Sequence, residues 1–204
     1  MISAVVLAAG LSRRMGETKL LLPLGCKTII EHVVDNVRQT GVGEVIVVLG
    51  HAGDQIKQAL AGRDVTFRMN SRYGEGQGSS VAAGAAAVHP DSSGILFLPG
   101  DQPLLGPECL NTLIREFKRT KPLIVRAVEP GIPTIFNTRL RPELVALQGD
   151  TGGRQLVEKY KQEVLTVAVD PGAIAMDVDN PEDYQTLLRL WHMKSTGRLL
   201  EKEW

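Results

Sequence analysis

Between Leu7 and Lys19 the chain reads LAAGLSRRMGETK, a glycine-bearing turn that holds Arg13 and Arg14 between Gly10 and Gly16 and sets Lys19 just beyond. Backbone N–H groups beside clustered cations suit a triphosphate whose departing portion gains negative charge. The spacing excludes two familiar phosphate loops. Five residues separate Gly10 from Gly16 and Lys19 stands two places too late for a Walker A loop, while a dinucleotide fingerprint needs a GxGxxG that does not occur. The competing reading, a solvated loop, leaves three cations packed around two glycines with no anion to hold.

A second group of side chains suits a hard cation. Asp101 follows the apolar run Ile95 to Leu98, so its carboxylate projects from the carboxyl edge of a sheet, where α/β folds bind ligands. Mg²⁺ is typically held by one or two carboxylates plus phosphate oxygens. Asp101 supplies one. Asp177 and Asp179 share one side of an extended segment and are candidates for the other, unless Asp179 or Asn180 only caps the helix that Pro181 begins. Such a set suits chemistry at a triphosphate, with Lys19 as chief contact for the departing portion and Arg13 assisting. His32, His51, His89 and His192 fall in helices or loops away from these motifs, and His51, which follows a strand, is read as structural or solvent-facing, the alternative being that it faces the cleft. A phosphate-monoester acceptor, with a second pKa of about 6, needs no general base.

The elements that must position these residues alternate strand and helix. Ile2 to Ala8, Glu44 to Leu49, Val65 to Met69 and Gly94 to Leu98 read as buried parallel strands. Thr28 and Glu31 form a capping box before the apolar face Ile29, Ile30, Val33, Val34 and Val37, with Gly41 at the stop. Asp54 is expected to cap a short helix ending at Gly62, Ser79 to Val88 reads as a small-residue helix, and Pro107 opens a helix to Arg119. The alternation predicts an α/β, Rossmann-like doubly wound, mostly parallel sheet in three layers. Leu123 to Val128 and Ile132 to Phe136 read as strands facing each other across the turn Glu129 to Gly131. Short helices at Arg141 to Leu147 and Gly152 to Tyr160, a strand at Val164 to Val169 and the helix from Pro181 complete the reading. Leu187, Leu188, Leu190 and Trp191 of that last helix can cover either their own sheet or a neighbour.

Composition narrows the function classes. The chain has 204 residues, with 23 Lys+Arg against 23 Asp+Glu, so no basic field favours nucleic acid. Cys26 and Cys109 lack metal-ligand spacing and are expected to be reduced packing residues. No apolar run approaches the ~18 residues that crossing a membrane requires, and no leader precedes the first strand, so a cytoplasmic location is expected.

The motif LAAG-x-S-x-R-M-G-x-x-K resembles the opening of the MobA/MocA-like nucleotidyltransferases. NSRYGEGQGSS from Asn70, PGDQPLL from Pro99, GIPTIF, GDTGGR and MDVDNPED follow in that family's order. The resemblance implies one nucleotidyltransferase domain over 1–204, with a nucleotide half at 1–120, an acceptor half at 121–192 and an extension at 193–204. It implies nucleotide contacts from Leu7, Ala8, Ala9, Gly10, Ser12, Arg13, Met15, Gly16, Lys19, Gly76, Gly78, Ser79, Ser80, Gly100 and Gln102. It also implies metal ligation by Asp101 and Asp179 in preference to Asp177, and acceptor contacts from Pro133, Gly152, Gly153 and Arg154, an alternative for Arg154 being a surface salt bridge. Guanylyl-transferring members usually carry LAGG, whereas Ala8, Ala9 and Gln102 resemble the cytidylyl-transferring members. The implied reaction moves CMP from CTP to the phosphate of molybdenum-bearing molybdopterin, with Mg²⁺ or alternatively Mn²⁺, releasing pyrophosphate and yielding a cytosine dinucleotide. A molybdenum hydroxylase of the xanthine dehydrogenase kind is the implied recipient. Use of GTP, another acceptor such as a sugar phosphate, or a cofactor-chaperone role are the competing readings.

Overall fold

In the computed structural model, which describes residues 1–11, 15–128, 133–169 and 176–196, the run Ile2–Ala8 forms strand β1, and its residues from Ile2 to Val6 are all buried. A strand with no polar face needs cover on both sides, and the chain supplies it by alternating crossovers. A short hairpin, β2 (Pro23–Leu24) and β3 (Lys27–Thr28), turns at Gly25, whose φ of +65° a side chain would oppose. Helix α1 (Ile29–Arg38) then begins where the Glu31 carboxylate accepts from the Thr28 backbone N–H at 2.7 Å and hydroxyl at 2.8 Å. Its five expected apolar residues are the ones that are buried.

Strand β4 (Glu44–Leu49), helix α2 (Gly53–Ala59), strand β5 (Thr66–Met69), helix α3 (Gln77–Ala87), strand β6 (Gly94–Pro99) and helix α4 (Pro107–Thr120) continue the alternation. Strands β7 (Ile124–Ala127) and β8 (Thr134–Asn137), helices α5 (Arg141–Val145) and α6 (Arg154–Lys159), strand β9 (Val164–Val167) and helix α7 (Pro181–Ser195) follow. The sheet order is β5-β4-β1-β6-β8-β7-β9. Strand β8 alone runs against the rest, inserted between β6 and β7. The expected α/β sheet is therefore present.

Each face of the sheet carries its own core. Ile30, Val33, Val34, Ile56, Leu110 and Phe117 cover Ala4, Val6 and Val47 on one side. Val81, Ala85, Leu144 and Leu156 cover Val5, Ile46, Val48 and Phe97 on the other. Helix α3 lies so close to the sheet that a Cβ on Gly84 would stand 2.4 Å from Val5 Cγ1. A third cluster joins Leu22, Leu24, Ile29, Leu104 and Val178 to Leu187, with Leu188, Leu190 and Trp191 packed against it. The apolar face of α7 thus covers its own chain.

Some local expectations are corrected. Asp54 is not a cap: α2 begins at Gly53 after Ala52, and Asp54 points to solvent from its first turn. Cys109 packs in the core, but Cys26 is exposed because it occupies the tip of the β2–β3 hairpin. The turn Glu129 to Gly131 and the residues from 197 onward lie outside the described residues. Among the described residues, no helix is long and apolar enough to cross a membrane.

Candidate active site

The carboxyl ends of β1 and β6 are tied together where the Gly100 N–H donates to Leu7 O at 3.0 Å. A side chain at Gly100 would crowd that carbonyl, at 3.1 Å from the would-be Cβ. The next residue, Asp101, is 7% exposed and accepts a hydrogen bond from Lys19 Nζ at 2.5 Å. Lys19 opens the 3-10 turn Lys19–Leu21 and also donates to Asp179 Oδ1 at 3.1 Å.

Asp179 is held from the other direction by α7. The Asp183 carboxylate accepts from the backbone N–H of Asp179 at 2.9 Å and of Asn180 at 3.2 Å, and Asn180 Oδ1 accepts from Asp183 N at 2.9 Å. Asn180 is the cap, which leaves the Asp179 side chain to face Lys19. Asp177 has a different use, accepting from Gln102 Nε2 at 2.7 Å.

Charge and burial compete at this cluster. Burial raises the pKa of Asp101 and the Asp177 charge adds to this, with Lys19 opposing both. Burial also disfavours the Lys19 ammonium, but Asp101 and Asp179 outweigh it, so its pKa lies above the ordinary lysine value. Asp101 and Asp179 reach one cationic point, so the donor set fits a hard divalent ion. Among the described residues no group of three or more His, Cys, Asp or Glu is placed to hold a metal ion.

Two adjoining cavities share Leu7, Gln77, Pro99 and Asp101. The smaller, of 270 Å³, is lined by Leu7, Ala9, Gly10, Lys19, Gly76, Ser80 and Gly100 of the expected nucleotide contacts, together with Tyr73. The larger, of 730 Å³, takes in Asp101, Asp177 and Asp179, with Gly153 and Arg154 of the expected acceptor contacts.

The remaining expected residues stand elsewhere. Ala8 alternates into the core, Met15 packs against the α7 cluster, and Gly16 has a φ of +72°. The Gly78 N–H donates to Gly149 O at 2.7 Å, and a Cβ there would meet the backbone of Gln148 at 2.7 Å, so its lack of a side chain serves helix-to-loop packing. The Ser79 hydroxyl lies 2.8 Å from Arg72 O and accepts from Asn70 Nδ2 at 2.9 Å, bracing the loop ahead of α3. Gln102 and Pro133 are buried, and Gly152, with a φ of +52°, abuts the Gln77 side chain. Ser12 and Arg13 lie outside the described residues. Sequence reasoning placed Tyr73 within the Asn70 to Ser80 loop and Thr134 and Phe136 within the acceptor-side stretch Gly131 to Phe136 without singling them out, and it passed over Phe97 and Arg126 as cavity-lining residues. Only Arg126 carried a signal, as a charge inside an apolar strand.

Known proteins resemble this chain to different extents. The Bifunctional protein GlmU of Symbiobacterium thermophilum is 38% identical over 117 residues, 56% of this chain and 24% of that protein. The chain thus spans about a quarter of the length of the curated relatives it matches. The crystal structure of Rv0371C in complex with manganese, from Mycobacterium tuberculosis H37Rv, is 33% identical with a TM-score of 0.77, covering 92% of this chain and 98% of that one. A nucleotidyl transferase from Methanothermobacter is 26% identical with a TM-score of 0.83, over 95% and 99% of the two chains. Residues 4–164, from the first strand through the glycine turn and both cavity walls to the start of β9, match the MobA-like NTP transferase domain, and to that family of nucleotidyltransferases this chain belongs.

Proposed function

We propose that this protein transfers CMP from CTP to the phosphate of molybdenum-bearing molybdopterin, releasing pyrophosphate and forming molybdopterin cytosine dinucleotide. The observation that carries the reading is the convergence of Asp101 and Asp179 on Lys19 where the smaller cavity opens into the larger. In this reading the triphosphate lies along the glycine turn, with Lys19 and Arg13 facing the departing pyrophosphate. Leu7, Ala9, Gly10, Gly76, Ser80 and Gly100 form the nucleotide wall, and Gly153 and Arg154 belong to the acceptor wall. Asp101 and Asp179 hold Mg²⁺ or Mn²⁺, which supplies charge neutralisation of the reacting phosphates. The manganese-containing neighbour supports use of a divalent ion. Lys19, an ammonium at neutral pH, stabilises charge on the leaving group without a proton transfer. A phosphate acceptor is already anionic, and Arg154 orients it. The reading also places the protein in the cytoplasm, with a molybdenum hydroxylase as recipient of the product.

A second reading keeps the transfer but changes the nucleoside triphosphate or takes another phosphate-bearing acceptor. It is favoured by Gln102, whose side chain donates to Asp177 and does not line the smaller cavity, so one of the cytidylyl-like residues is not part of that cavity's wall. Pyrophosphate release with Mg²⁺, molybdenum-bearing molybdopterin and each of CTP, GTP, ATP and UTP separates the readings. Release confined to CTP, with a cytosine dinucleotide identified by mass, is expected. Release confined to GTP would replace the base, and binding of CTP without release would remove the acceptor.

A further inference from the structure

Across β6, β8, β7 and β9, the register aligns Ile95, Phe136, Ile124 and Val164 in one row on the face covered by α3, α5 and α6. That row is apolar throughout, as a helix-covered face requires. The next row on the same face, nearer the site, reads Phe97, Thr134, Arg126 and Thr166. Arg126 therefore occupies a core-facing position in a strand whose other residues, Ile124, Val125 and Ala127, are buried and apolar.

A guanidinium cannot shed its charge, and burying one without a partner is destabilising. Arg126 is half-buried and makes no ion pair or hydrogen bond among the described residues. It lines the larger cavity beside Thr134, with Phe97 and Phe136 packed edge-on at 6.0 Å as the apolar floor. Two strand spacings, about 10 Å, separate its backbone from that of β6. Strand β6 itself lies between Arg126 and β1, which with the glycine turn walls the smaller cavity.

We infer that Arg126 is a specificity-determining residue for the acceptor, binding an anionic oxygen group, phosphate or carboxylate, that the acceptor carries. This rests on the assignment of the larger cavity to the acceptor. The group is recognised by a planar fork of donors with the Thr134 hydroxyl at its side, over a floor that accepts an apolar or aromatic body. A fork held ready on a strand selects charged acceptors over neutral ones of the same shape, at some expense in stability.

The test is calorimetric titration of inorganic phosphate and, separately, acetate into the wild type, Arg126→Met and Arg126→Lys, each saturated with whichever nucleoside triphosphate it binds. The wild type is expected to bind at least one of the two anions, and Arg126→Met to weaken that binding about tenfold or more, with Arg126→Lys between them. The preferred anion identifies the group. Arg126→Met is also expected to melt no lower than the wild type, because it removes an unpaired charge from a core-facing position. Failure of the wild type to bind either anion, equal binding by Arg126→Met, or weaker binding accompanied by a lower melting temperature would each overturn the inference. If no nucleoside triphosphate binds, the proposed reaction fails, yet the same titrations without nucleotide still decide the role of Arg126.

Discussion

Asp101 and Lys19 show how a reactive pair is maintained by its surroundings. A carboxylate only 7% exposed is unfavourable alone, and it is sustained by an ammonium at 2.5 Å that a second carboxylate shares. Replacing Asp101 by Asn keeps the shape and a hydrogen-bond acceptor but removes the charge. Under the proposed reaction, turnover should fall about 10³-fold or more, equivalent to ~4 kcal/mol of transition-state stabilisation. The melting temperature should move by no more than about 4 °C, since Lys19 retains Asp179. Parallel activity and calorimetry on Asp101→Asn check both halves, and a variant with normal Mg²⁺-dependent turnover would exclude Asp101 from metal binding. Asp101 was readable because a carboxylate directly after a buried strand has one outlet, the sheet edge. Gln102 was not, because whether a side chain faces a ligand or a neighbouring acid depends on Asp177, far along the chain.

At the scale of elements, α1 and α3 are held by opposite means. Arg63, just past α2, donates from Nη2 to Glu31 at 3.0 Å and from Nε to Asp35 at 2.7 Å, and Lys27 reaches Asp35 at 2.8 Å. Burial raises the Asp35 pKa, but Arg63 and Lys27 overcome it and bring the carboxyl from 3.8 down to about 2. A folded-state value below the unfolded one contributes stability that is fully present above the ordinary carboxyl range and is lost as pH falls through about 2. Allowing for solvent screening, the contribution is about 1 kcal/mol. Arg63→Ala should lower urea stability at neutral pH by about that amount, and its deficit relative to wild type should shrink as pH is taken below the carboxyl range. Helix α3 depends instead on small residues. Gly84→Ala gains helix propensity but drives a methyl into Val5, and should cost about 1–2 kcal/mol in denaturant unfolding with little change in m-value. Elements whose cause is local were visible beforehand: α1 announced itself by Thr28, Glu31 and one apolar face, and α4 by Pro107. The pairing of β8 with β7 was expected, but its insertion beside β6 was not, because nothing within Thr134–Asn137 names β6 as its second partner. Asp54 misled because a good capping residue one position late is merely exposed.

Across the whole molecule, α7 links the end of the chain to its beginning. The Tyr184 hydroxyl donates to Pro23 O at 2.6 Å, Lys194 Nζ to Leu104 O at 3.0 Å, and the His32 and Trp191 rings lie 4.3 Å apart. The first turn of the same helix fixes the backbone of Asp179. Leu187→Ala, at a fully buried position, should cost about 2–4 kcal/mol in unfolding experiments. Under the proposed reaction it should also raise the Mg²⁺ concentration for half-maximal turnover, an effect absent if α7 were only a cover. The reversed strand β8 has a different consequence, one that concerns synthesis. Strand β6 pairs with β1 on one side and β8 on the other, and roughly 35 residues of chain separate β6 from β8. While the ribosome is still making that stretch, the nascent nucleotide half presents β6 as an unpaired, apolar edge, open to the matching edge of another unfinished copy. The strand that walls the larger cavity is thus also the one that closes this edge against self-association.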